Sequence, residues 1–73
     1  MNIRYSRHAK RRLKLYKITE KIISEILKEV NKLGRQEITK KVQGFKNPIK
    51  VVCDVKENYI TIITAYPLKR GLK

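Results

Sequence analysis

The hydrophobic period of this chain changes once, at Gly34, and that change limits the fold more than any other feature. Before Gly34, apolar residues recur every three or four positions, as they do on the buried side of a helix. After it, they alternate or run together with many β-branched side chains, as they do in strands. Helices segregated from strands in this way imply the α+β class. With 73 residues the chain is short enough for a single domain only. Residues 1–73 are therefore read as one unit, with 67–73 as a loose tail.

Residues 2–5 read as a short leading strand. Ser6 has the chemistry of a helix N-cap, and Ala9, Leu13 and Tyr16 follow it as an amphipathic stripe. Thr19 caps a second helix, and Ile18 can staple to Ile23. Ile22, Ile23, Ile26, Leu27, Val30 and Leu33 give that helix a broad apolar face, with Gly34 as its left-handed terminator. Strands are expected over 36–42, 49–55 and 59–66. A loop over 44–48 joins the first two, and Lys56, Glu57 and Asn58 form a hairpin turn between the others. Pro67 ends the last strand by removing a donor. The expected order is β-α-α-β-β-β, with both N-terminal helices packed on one face of a mainly antiparallel sheet.

Charge points to the partner. Nineteen Lys and Arg against six Asp and Glu leave a formal charge of +13. The excess is uneven. Arg4, Arg7, Lys10, Arg11, Arg12, Lys14 and Lys17 occupy the first 17 positions without one acid, whereas positions 19–33 balance three bases with three acids. A surface charged only for solubility mixes its signs, as the second helix does and the first does not. A patch of one sign binds phosphate backbones by releasing counterions. RNA is thus the first partner expected. An acidic protein is compatible with it, and an anionic membrane surface ranks last. No apolar run has the length of a membrane span and no secretory pattern opens the chain, so a cytoplasmic location is expected. Cys53, the single cysteine, lies in an apolar run and reads as a core residue. A composition rich in Lys, Ile and Glu, without Trp, suggests a thermophilic source.

The chain holds one candidate pair for chemistry. His8 and Arg12 are four residues apart and share a face of the first helix. An imidazole can move a proton near neutral pH, and a guanidinium can hold a phosphate bidentately while negative charge develops on it. With RNA the nucleophile would be the neighbouring 2′-hydroxyl, and no metal or other cofactor is needed. One histidine and a distant cysteine make no metal-ligand set. The competing reading of His8 is an ordinary packing or capping residue. Thr64 and Tyr66 close the last strand on one face. Tyr66 can stack on a base or simply cover the sheet, and Tyr5 and Tyr59 are further aromatic candidates. Arg7, Lys10, Arg11, Lys14, Lys40, Lys41, Lys69 and Arg70 are the expected backbone contacts.

Taken in order, His8-Ala9-Lys10-Arg11-Arg12, then Ile18-Thr19 with Ile23, then Ile62-Ile63-Thr64-Ala65-Tyr66 resemble the small RelE-like domains, which carry H-A-x-x-R, I-[ST]-x-x-x-[IV] and a closing I-T-x-Y-like strand. That family is similar to the RelE and BrnT toxins of toxin–antitoxin modules. The resemblance spans nearly the whole chain. It implies a RelE-like fold, cleavage of messenger RNA, often on the ribosome, and neutralisation by an acidic antitoxin. By position, His8 and Arg12 would be the catalytic pair, with Thr64 and Tyr66 across the groove. The chain departs from most RelE toxins in being shorter and in lacking a C-terminal helix. A non-catalytic RNA-, ribosome- or antitoxin-binding module of the same fold is the alternative.

Overall fold

The computed structural model describes residues 2–68. The elements run β1 (Asn2–Tyr5), α1 (Arg7–Tyr16), α2 (Glu20–Leu27), β2 (Gly34–Lys40), β3 (Ile49–Val55) and β4 (Tyr59–Pro67). The class is α+β, with two helices and one open four-stranded sheet in the order β1-β4-β3-β2. The strands β2, β3 and β4 form an antiparallel meander, while β1 lies parallel to β4. The sheet is therefore mixed rather than mainly antiparallel. A parallel neighbour needs a long crossover, and here both helices and two strands supply it. Nothing in the four residues of β1 specifies the direction of a partner. No helix among the described residues is long and apolar enough to cross a membrane.

One core lies between the helices and one face of the sheet. Ala9, Leu13, Ile18, Ile23, Ile26 and Leu27 meet Ile49, Val51, Cys53, Val55, Ile60, Ile62 and Ala65 there. The alternation of β3 explains its apolar run. Ile49, Val51, Cys53 and Val55 turn to the helices, and Val52 is buried on the other side, outside this cluster. Burial pushes the Cys53 thiol up.

The sequence misplaces the end of the second helix. It stops at Leu27, capped by Lys28 in a right-handed conformation, and Val30 and Leu33 lie beyond it. Leu33 is 64% exposed. Gly34 does not terminate a helix; it opens β2 with a positive φ of 100°. The left-handed cap belongs instead to Lys17, at the end of α1. Strand β2 also ends at Lys40, two residues short of Val42. Pro67 and Leu68 do not belong to a loose tail, since Pro67 pairs with Ile49 and the Leu68 N–H donates to the Pro48 carbonyl; the rest of the expected tail lies outside the described residues.

Ser6 joins the layers. Its Oγ accepts from the Ala9 N–H at 3.0 Å, capping α1, and donates to the Ile63 carbonyl at 2.8 Å. Its own N–H donates to the Ile62 carbonyl at 3.0 Å. Two successive carbonyls of β4 thus turn to one residue, which is where β4 bulges. Val52 pairs with Thr64, but Cys53 pairs with Ile62, leaving Ile63 as the extra residue. The bulge shifts the alternation, so Tyr59 and Thr61 share the helix-free face with Thr64 and Tyr66 rather than with 63 and 65.

Two outcomes follow. Ser6→Ala removes a cap and leaves a part-buried carbonyl unpaired, which costs about 2 kcal/mol and lowers the melting midpoint by roughly 10 °C; thermal unfolding followed by circular dichroism reads it. Cys53, at 0% exposure, should react with a thiol reagent such as iodoacetamide at mildly alkaline pH only as fast as the domain opens. Rapid labelling of the native protein would show that the strand does not bury it.

Candidate nucleic-acid interface

Among the described residues no helix packs on the other face of the sheet, although Val52 and the Thr64 hydroxyl at its centre are buried, and α1 is tied to β4 at the sheet's edge. At one end β4 presents Tyr66, with Lys50 of β3 beside it and Thr39 of β2 next to Lys50. β1 pairs only as far as Ile62, so beyond the bulge α1 takes its place beside β4. This arrangement brings the Arg12 guanidinium to 6.0 Å from the centre of the Tyr66 ring, the outer limit of a cation–π contact. Arg12 is half-buried, while Ala9 and Leu13 on the inner side of the same helix are buried. His8 lies one turn before Arg12 on the same flank and is exposed. Leu15, three residues past Arg12, is 67% exposed.

The remaining predicted residues divide. Arg7, Lys10, Arg11 and Lys14 are exposed on the outer side of α1. Among the described residues none of them is in an ion pair, and the first turn of the helix has no acid to complement its dipole. Lys41 is exposed just past β2, at the Tyr66 end of the sheet. Lys40 is not part of this surface. It shares the helix-facing side with Ile38 and pairs with Glu29 at 2.9 Å. Lys69 and Arg70 lie outside the described residues. Thr64 does share a face with Tyr66, but its Oγ1 is buried and finds no hydrogen-bond partner among the described residues, so it is not presented as a catalytic hydroxyl. Tyr5 faces the core, where burial and Glu20 raise its phenol pKa. Tyr16 also packs against the core.

Two residues of this face have no place in the motif reading. Lys50 lies against Tyr66 and is held by Glu37 at 2.8 Å. The hydrogen bond between them raises the Lys50 pKa and lowers that of Glu37. Arg4 of β1 puts its guanidinium 4.1 Å from the centre of the Tyr59 ring, at the opposite end of β4. The signal for Lys50 is in the sequence: Lys50 and Asp54 interrupt an apolar strand four residues apart, and so share its open face. Arg4 has a similar signal, since it alternates with Ile3 and Tyr5 in β1.

A model of one protein family, described as a domain of unknown function (DUF4258), matches residues 5–67. The chain belongs to that family. Nothing among curated proteins and nothing among solved structures matches it. The matched span of the DUF4258 domain runs from Tyr5 to Pro67 and so takes in His8, Arg12, Lys50, Thr64 and Tyr66. Among the described residues no three His, Cys, Asp or Glu side chains converge to hold a metal. A concavity lies elsewhere. A mostly apolar groove of about 440 Å³ lies between the end of α2 and the β3–β4 turn, lined by Leu27, Val30, Leu33, Val55 and Ile60 among others. None of the described candidate site residues borders it.

The Lys50–Glu37 pair yields a pH test. A carboxylate with a lowered pKa keeps its charge until the pH falls through that lowered value. Lys50→Met removes the hydrogen bond, so the Glu37 carboxyl should then titrate at higher pH, near an ordinary glutamate. Carbon-detected NMR of the side-chain carboxyl through the acid range reads it. An unmoved titration would mean that the pair does not form in solution.

Proposed function

We propose that this domain is a toxin-like, metal-independent endoribonuclease of RelE-like fold that cleaves messenger RNA in the cytoplasm, on the ribosome as well as off it. The observation that carries the reading is the Arg12 guanidinium brought to the Tyr66 ring beside Lys50, at the edge of a helix whose outer basic residues have no acidic partners. Arg12 holds the non-bridging oxygens of the scissile phosphate. Tyr66 stacks on a flanking base and thereby aligns the backbone. His8 takes the proton of the adjacent 2′-hydroxyl. That oxygen attacks phosphorus and the bond to the 5′-oxygen breaks. The leaving oxygen takes a proton from solvent, and the products are a 2′,3′-cyclic phosphate and a 5′-hydroxyl. Arg7, Lys10, Arg11, Lys14 and Lys41 bind the backbone outside the reacting step. Thr64 has no role in this scheme, because its hydroxyl is buried. The resemblance of His8-Ala9-Lys10-Arg11-Arg12 and of Ile62-Ile63-Thr64-Ala65-Tyr66 to RelE-like domains supports the same assignment, and with it an acidic antitoxin as the natural partner of the basic surface.

One observation favours a second reading. Among the described residues His8 makes no side-chain hydrogen bond that would orient its ring. A domain that binds RNA through the same surface without cutting it needs no such orientation.

The test is labelled messenger RNA with EDTA, at near-physiological salt, with protein freed of any copurified chain. The wild type should cut it at discrete positions. His8→Ala should slow cleavage by about 10²-fold or more while leaving RNA affinity nearly unchanged. Arg12→Ala should lose both cleavage and part of the affinity. Intact RNA here, and with translating ribosomes as substrate, would leave the binding module as the reading. In both readings affinity falls steeply with salt.

A further inference from the structure

The second arginine–tyrosine stack lies at the far end of the strand that carries Tyr66. Tyr59 and Tyr66 share the helix-free face because the bulge at Ile63 shifts the alternation between them. They are separated by seven positions, one of which the bulge absorbs, so at about 3.3 Å per residue they stand roughly 20 Å apart. Between them the face carries Thr61 of β4, with Arg4 of β1 on one side and Asp54 of β3 on the other, and then Thr64 beside Val52, whose side chain is buried.

The charges on this face are sorted. Both of its carboxylates are taken by lysines, Glu37 by Lys50 at 2.8 Å and Asp54 by Lys56 at 3.7 Å. The arginines Arg4, Arg12 and Arg35 are in no ion pair among the described residues. Arg4 and Arg12 lie instead against tyrosine rings. An arginine plane on an aromatic ring offers a flat surface to a base and donors to the phosphate next to it. An exposed lysine–carboxylate pair offers neither.

We infer that Arg4 and Tyr59 form a second base-stacking site, and that a single-stranded RNA segment runs along β4 from Tyr66 to Tyr59. This rests on the RNA-binding reading above and extends it from one contact to a track. The track holds about four nucleotides, the short end of the range for single-stranded RNA on a small domain. The ligand is single-stranded, since a base inside a duplex has no free face to stack. The site has little base preference, because every base has a π-face.

The experiment is fluorescence anisotropy with a labelled single-stranded 2′-O-methyl RNA of about eight nucleotides, which lacks the hydroxyl that cleavage would use, at about 0.15 M salt, where loose backbone binding is screened. Tyr59→Leu leaves the charge unchanged and removes the ring, so affinity should fall about tenfold, as for one lost stack. Tyr59→Phe keeps the ring and should bind as the wild type does. If the wild type does not bind this RNA, the RNA-binding reading falls and the track falls with it. If the wild type binds and Tyr59→Leu binds equally well, the track alone is overturned. Should Tyr59→Leu fail to fold by circular dichroism, photocrosslinking of the wild type to 4-thiouridine RNA decides the matter. Crosslinks at Tyr59, assigned by tandem mass spectrometry, support the track, and crosslinks confined to Tyr66 overturn it.

Discussion

The hydrogen bonds of Ser6 hold the rest of the structure in place. A single hydroxyl caps α1 and ties it to the Ile63 carbonyl, and the backbone of the same residue takes the Ile62 carbonyl. Were α1 attached only by the apolar contacts of Ala9 and Leu13, it could slide along β4 at little cost, because burial has no direction. Hydrogen bonds to two named carbonyls fix its register. That register places Arg12 at Tyr66, and the bulge that supplies the two carbonyls also turns Tyr66 to the open face.

The distribution of charge follows the chemistry of the two basic side chains. Glu25, Glu29, Glu37 and Asp54 are each paired with a lysine. These are exposed or half-exposed pairs, worth little to stability. Their effect is on the distribution of free charge, since they offset Lys28, Lys40, Lys50 and Lys56 while the first helix stays unpaired among the described residues. Arginine differs from lysine in having a flat face as well as a charge. The residues that lie on the tyrosine rings are arginines.

Much of this was legible in the sequence, and the exceptions have local causes. Ser6 and Thr19 are both N-caps, as their chemistry suggests. The strands β3 and β4 appear where β-branched runs place them. Val30 and Leu33 continue the helical stripe on paper, yet α2 ends at Leu27, because apolar spacing cannot distinguish a helix from the turn that packs beneath it. The partner and direction of β1 depend on contacts 57 positions away in sequence, beyond any local pattern. The same holds for the site. The approach of Arg12 to Tyr66 follows from no local pattern; in the sequence only the resemblance to RelE-like domains sets the first-helix pair across from the last strand. Lys40 and Lys50 differ only in which way each strand turns them. The buried hydroxyl of Thr64 depends on its neighbours across the sheet rather than on its own type.

The pairing of β1 with β4 joins strands 57 positions apart, the first and last among the described residues. Contacts of that sequence separation close late in folding, because the loop between them must be ordered first. During synthesis the basic helix leaves the ribosome long before the strand on which it must dock. The arginine stacks on Tyr59 and Tyr66 therefore cannot form until β4 itself has been made. Until then the basic helix has neither the strand that fixes its register nor the ring that Arg12 lies against.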